Sequence, residues 1–110
     1  MSKTFIRLFD ALELPDEGMR KVDIDGLEPV LVCHIGGQFY ATQDTCSHAF
    51  ASLADGWLEG HEVFCPVHLA SFDIRDGQPK CFPATEPLRV FTTVIEDGGV
   101  CVDLESALKI

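Results

Sequence analysis

The chain has 110 residues, 46% of them hydrophobic and 24% charged, and eighteen acids against eight lysines and arginines give a formal net charge of −10. This length predicts one domain, 1–110, large enough for a core yet near the size at which a metal staple helps. The acidic balance argues against a nucleic-acid partner, whose phosphates such a surface repels, and the longest apolar stretch, residues 29–35, is strand-length and too short to span a membrane.

In chain order, the pattern predicts an all-β protein. Residues 4–9 alternate weakly through Phe5, Ile6 and Leu8, and residues 10–13 suit a single helical turn before Pro15. Residues 19–24 alternate through Met19, Val22 and Ile24 and end at Asp25-Gly26. Residues 29–35 form a β-branched run closed by Gly36-Gly37 and answered by Phe39-Tyr40-Ala41, the clearest hairpin in the chain. A second hairpin is expected from residues 88–95 and 100–104 around Asp97-Gly98-Gly99. The sequence contains no Asn, so Gly must supply nearly every turn position with positive φ. Residues 106–110 read as a fraying or short helical tail.

Between these flanks, roughly residues 44–83, alternation fades and Gly, Pro, His and Cys concentrate. Short strands are expected at 62–64 and 71–74, with a turn at Asp76-Gly77. The whole reads as a subdomain inserted between strands of an antiparallel β-sandwich base. It carries two Cys-His pairs, Cys46-Ser47-His48 and Cys65-Pro66-Val67-His68. Two thiolates and two imidazoles are enough to close one metal site, each loop giving one of each. A [2Fe–2S] cluster with two Cys on one iron and two His on the other needs this set. A structural zinc site also takes two Cys and two His, though usually with both Cys first and both His late on a helix. A Cys46–Cys65 disulfide would leave both histidines unexplained.

The wider run Cys46, His48, Asp55-Gly56, Gly60, Cys65-Pro66-Val67-His68, Phe72-Asp73, Gly77 and Pro83 resembles the Rieske ferredoxins, in particular those of bacterial aromatic-ring-hydroxylating dioxygenase systems. The resemblance implies the Rieske fold with the inserted residues binding the cluster at one tip, and one [2Fe–2S] cofactor held by Cys46, His48, Cys65 and His68. It implies a one-electron carrier rather than an enzyme, with a flavoprotein ferredoxin reductase and a terminal oxygenase as partners. The small Rieske subunit of an assimilatory nitrite reductase and a zinc-stabilised interaction module are the alternatives. The respiratory members of the wider family have an extra disulfide and hydroxyl donors to sulfur. Here Val67, Leu69-Ala70 and Phe72 stand at those positions, which predicts a midpoint towards about −150 mV, the low end of the Rieske range. Ser47 and Ser71 are the hydroxyls that could still reach a sulfur. Pro83 matches the family's cluster-covering proline loop, and Phe50, Leu69 and Phe82 are candidates for an apolar rim.

The remaining residues get plainer readings. Trp57 is expected to pack, and His34 and His61 lack a Cys at ligand spacing and are expected to be bystanders. Cys33, Cys81 and Cys101 are expected to be small hydrophobes in or near strands. Met1-Ser2-Lys3-Thr4 carries no apolar export signal, which predicts a cytoplasmic protein, and the chain is expected to be a monomer.

Overall fold

The structure, a computed structural model, describes residues 5–24, 26–47, 50–67, 70–81 and 86–104. Among the described residues ten strands run in chain order: β1 Phe5–Asp10, β2 Gly18–Val22, β3 Val30–Ile35, β4 Gln38–Gln43, β5 Trp57–Glu59, β6 Glu62–Phe64, β7 Ser71–Asp73, β8 Pro79–Cys81, β9 Val90–Glu96 and β10 Gly99–Asp103. The described residues also hold two short 3-10 turns, Ala11–Glu13 and Leu53–Asp55. Asp10 caps the first of them, its carboxylate accepting from the Leu12 N–H. Among the described residues no helix is long and apolar enough to cross a membrane.

All pairings are antiparallel, and they form two sheets. Six strands build the base in the order β1-β10-β9-β4-β3-β2, and four build a small sheet in the order β5-β6-β7-β8. The base curls on itself. Its two edge strands meet where the Arg20 guanidinium lies 4.5 Å over the Phe9 ring. The expected all-β fold, with a cluster-bearing piece inserted into a base, takes this form of one curled sheet and one small sheet.

Strand β3 explains how the two sheets share a molecule. Side chains alternate across a strand, so Val30 and Val32 join Phe9, Ala41, Val100 and Val102 in the core enclosed by the curl. Leu31 and Cys33 point the other way, into a second core with Leu53, Val63, Phe72, Ile74 and Leu88 under the small sheet. A strand buried on both faces reads as an unbroken apolar run, which is what residues 30–33 show. β3 is the wall between two cores.

The hairpins formed where the sequence placed them, with one refinement. Glu96 pairs with Gly99, so the β9–β10 turn is the two residues Asp97 and Gly98, both at positive φ. Gly99 belongs to the strand, and a Cβ there would collide with the Arg7 guanidinium. Glycine holds six of the positive-φ positions, and Glu17 and Asp97 hold the others among the described residues. Residues 88 and 89 do not extend β9, because the Leu88 N–H is taken by the Gly77 carbonyl at 2.8 Å. Strands β5 and β8 were not foreseen. Both are three-residue edges of the small sheet, and Pro79 opens β8, where a missing N–H is tolerated. Thr4, Asp25 and residues 106–110 lie outside the described residues.

Gly56 shows why a residue without a Cβ is needed beside the first loop. Its φ is −92°, open to any residue, but a Cβ would run into the Phe64 carbonyl oxygen across the β5–β6 pair. Gly56→Ala should therefore destabilise the fold by about 1–3 kcal/mol, the usual cost of overpacking, read as a lower urea midpoint. An unchanged midpoint would show that β5 can move away.

Candidate metal centre

The two cysteines of the motif come together from loops built alike. In the first, the Cys46 N–H donates to the Ala51 carbonyl at 2.9 Å, and in the second the Cys65 N–H donates to the Ala70 carbonyl at 2.7 Å. One step outward, Thr45 bridges to Ser52 and Phe64 pairs with Ser71. Each loop is thus a short neck with four residues at its tip, and each begins with its cysteine. The histidines of the motif, His48 and His68, fall in these tips and lie outside the described residues, as do Leu69, Phe82 and Pro83.

Both cysteines are buried, Cys46 at 4% and Cys65 at 0% exposure, in the second core against Phe72 and Ala70. The thiols are in hydrogen-bonding contact with each other. Burial pushes the Cys65 thiol up from its ordinary range, the Val67 N–H bonding to the sulfur works the other way, and the neighbouring Cys46 raises it further. Two buried thiols facing one another without a disulfide make an unfavourable place for two thiolates unless a cation is present. The donor set therefore fits a metal group. Among the described residues no group of three or more His, Cys, Asp or Glu side chains suited to a metal forms, so neither His34 nor His61 completes the site.

Those two histidines have other roles. His34 donates from Nδ1 to the Leu14 carbonyl at 2.8 Å and stacks on Phe39 with ring centroids 4.2 Å apart. His61 meets Tyr40 edge-on at 5.7 Å. Trp57 stacks on Phe64 with its ring plane within 2°, as a packing role requires, while Phe50 at the tip of the first loop is fully exposed.

The two candidate hydroxyls are committed elsewhere. Ser47 Oγ donates to the Glu86 carbonyl at 2.7 Å, tying the first loop to the segment that returns to the base. Ser71 Oγ donates to Glu62 Oε2 at 2.5 Å. A hydroxyl has one proton, so neither is offered to a sulfur. One donor to sulfur among the described residues is the backbone N–H of Val67.

Sequence reading missed Asp44, 1% exposed, which holds the first loop. It accepts from Ser52 Oγ at 2.5 Å and from the Ala54 N–H at 3.0 Å, while its carbonyl accepts from Leu53 at 2.8 Å. Gln43 braces the same region, donating to the Thr45 carbonyl at 2.7 Å and accepting from the Arg89 N–H at 2.8 Å. The available signal was the Ala-Ser pair that follows each Cys-His pair, Ala51-Ser52 and Ala70-Ser71.

The other cysteines divide. Cys33 and Cys101 are buried, as expected of small hydrophobes, but Cys81 is exposed at the end of an edge strand. Burial, with the nearby Asp44 carboxylate adding to it, pushes the Cys33 thiol up to about 12. Iodoacetamide at pH 8 should label Cys81 first in the native protein and leave Cys33 unlabelled until unfolding. Mass spectrometry that finds Cys33 labelled as fast as Cys81 would contradict this burial.

The chain is similar to several known proteins. The Rieske [2Fe-2S] domain model matches residues 4–92. The ferredoxin component of biphenyl 2,3-dioxygenase from Rhodococcus jostii is 50% identical over 84 residues, covering 76% of this chain and 78% of its own. The 3-phenylpropionate/cinnamic acid dioxygenase ferredoxin subunit of Photorhabdus laumondii is 41% identical over 103 residues, 93% of this chain and 94% of its own. A chain in the solved complex of reduced oxygenase and oxidized ferredoxin in carbazole 1,9a-dioxygenase superposes with a TM-score of 0.88 at 36% identity, covering 93% of this chain and 94% of that one.

Proposed function

The chain belongs to the Rieske [2Fe–2S] domain family, as a ferredoxin component of the aromatic-dioxygenase type, and from that premise we propose that Cys46, His48, Cys65 and His68 hold its one cluster. Single electrons then pass from an NAD(P)H-dependent flavoprotein reductase to the Rieske centre of a terminal oxygenase. The observation that carries this reading is the meeting of the Cys46 and Cys65 thiols at the necks of two matched loops.

When bound, the cluster supplies a one-electron couple whose potential the surrounding protein sets. The chain's own residues do the rest. Cys46 and Cys65 would give up their protons to hold it, and His48 and His68 would supply the other two ligands. Leu53, Phe72 and Leu88, nearly or fully buried in the same core, keep water from the two cysteines. A nicotinamide delivers two electrons at once, so a flavin upstream must split the pair. The −10 charge favours docking to basic patches on partners that must release the carrier after each transfer. Residues 1–110 act as one domain with 44–83 as its cluster-binding part. None of the five cysteines, all described, forms a disulfide, which suits the reducing cytoplasm in which we place the protein.

Stopped-flow mixing tests the assignment. NADH should bleach the visible bands only when a flavoprotein reductase is present. Mixing the reduced protein with an oxidised terminal oxygenase should restore them, one electron per chain. Protein that stays oxidised with every reductase tried, or stays reduced beside the oxygenase, defeats it.

A further inference from the structure

The two loops share more than their backbone closure. At the first neck Ser52 Oγ donates to Asp44 Oδ2, and at the second Ser71 Oγ donates to Glu62 Oε2, both at 2.5 Å. In both, the serine follows the alanine whose carbonyl receives the cysteine N–H, and the acid precedes the cysteine by two or three positions. Each pair crosses its neck beside the cysteine. The two-residue hairpins of the base close on Gly36-Gly37 and Asp97-Gly98 without such a pair.

A neck supporting four residues at its tip is longer than a two-residue turn, so the turn backbone alone does not fix it. Burying Asp44 costs free energy unless its oxygens are satisfied. Here one oxygen takes the serine hydroxyl and the other the Ala54 N–H, so the carboxylate holds both sides of the neck. In the second loop Ser71 is wholly buried and Glu62 reaches it across the β6–β7 pair. Hydrogen bonds to a carboxylate are stronger than neutral ones, and these two sit where a loop would have to open for its ligands to leave.

We infer that Asp44–Ser52 and Glu62–Ser71 are matched buckles, positioning residues that hold the two ligand loops closed and set how long the cluster is retained. The inference rests on the ligand assignment proposed above. Its test is the rate at which the oxidised holoprotein loses its visible absorption in excess EDTA. Ser52→Ala and Ser71→Ala should each lose colour about tenfold faster, the effect of one hydrogen bond of this kind. The double variant should lose colour faster than either single one, because each pair closes a different loop. Ser52→Thr keeps the hydroxyl and should restore slow loss. Glu62→Ala should match Ser71→Ala, and combining those two should add little, since they remove the same bond. Thr93→Val deletes a hydroxyl that donates to the Phe39 carbonyl in the base, and it should bleach at the wild-type rate.

Alanine variants that keep the wild-type rate overturn the inference. So does a Thr93→Val protein that bleaches as fast as they do, which would reduce the effect to general stability. Additive losses for Glu62→Ala and Ser71→Ala would show that they do not act as a pair. A wild-type protein that folds but purifies colourless defeats the ligand assignment instead, so the two failures are distinguishable.

Discussion

Cys65→Ala is expected to yield a folded but colourless protein, with loss of the visible bands and of the EPR signal of the reduced state. Cys65 is fully buried, begins the second loop and faces Cys46, so the substitution takes a sulfur out of the site. The same result is expected for His48→Ala and His68→Ala, whereas His34→Ala and His61→Ala should stay red-brown. His34→Ala will lose about 1 kcal/mol with its bond to the Leu14 carbonyl. Ligand binding to the native state is itself stability. A domain of this size shifts by about 4–8 °C per kcal/mol, so colourless variants should melt at least about 10 °C below the holoprotein. A coloured Cys65→Ala protein would refute the ligand set.

The second large effect is on potential. Spectroelectrochemical titration should give a one-electron midpoint near the low end of the Rieske range, about −150 mV. The hydroxyls of Ser47 and Ser71, which could have raised it, donate to Glu86 and Glu62, and Phe72 has none to offer. Phe72 is fully buried in the same core as both cysteines. Phe72→Tyr places a hydroxyl there that must find an acceptor or cost free energy, and the sulfurs are close by. A new bond favouring the reduced state by about 1 kcal/mol would raise the midpoint by roughly 40 mV for one electron. An unchanged midpoint in a folded variant would show that the ring edge does not reach a sulfur. A wild-type midpoint towards about +300 mV would defeat the missing-donor argument outright.

The proposed ligands were legible because they are chemically unusual. Cys46, His48, Cys65 and His68 have few other reasons to recur at that spacing, and the hairpin at Gly36-Gly37 follows from a turn chemistry with few solutions. The double-sided burial of β3 was legible only as an apolar run, since a run does not say that two different cores lie behind it. β5 and β8 were invisible because a three-residue edge strand is defined by its neighbour's hydrogen bonds and needs no pattern of its own. Asp44 and Glu62 were missed because an acid before a cysteine reads as surface. Only the fold shows that serines placed six positions after each cysteine turn back to meet them. Cys81 looked like another small core residue, and the edge position of β8 left it in solvent instead.

The pairing of β1 with β10 sets the order in which this molecule can be made. Residues 57–81 supply four strands that each pair with the next in sequence, a meander whose contacts are local and quick to form. Phe5 finds its partner only at Asp103. A chain growing from the ribosome can therefore assemble the small sheet while its first strand still waits for Val100 and Val102, which complete the core around Phe9. β10, the last of the described strands, closes the base over β1, and until it does β1 remains an unpaired edge open to aggregation.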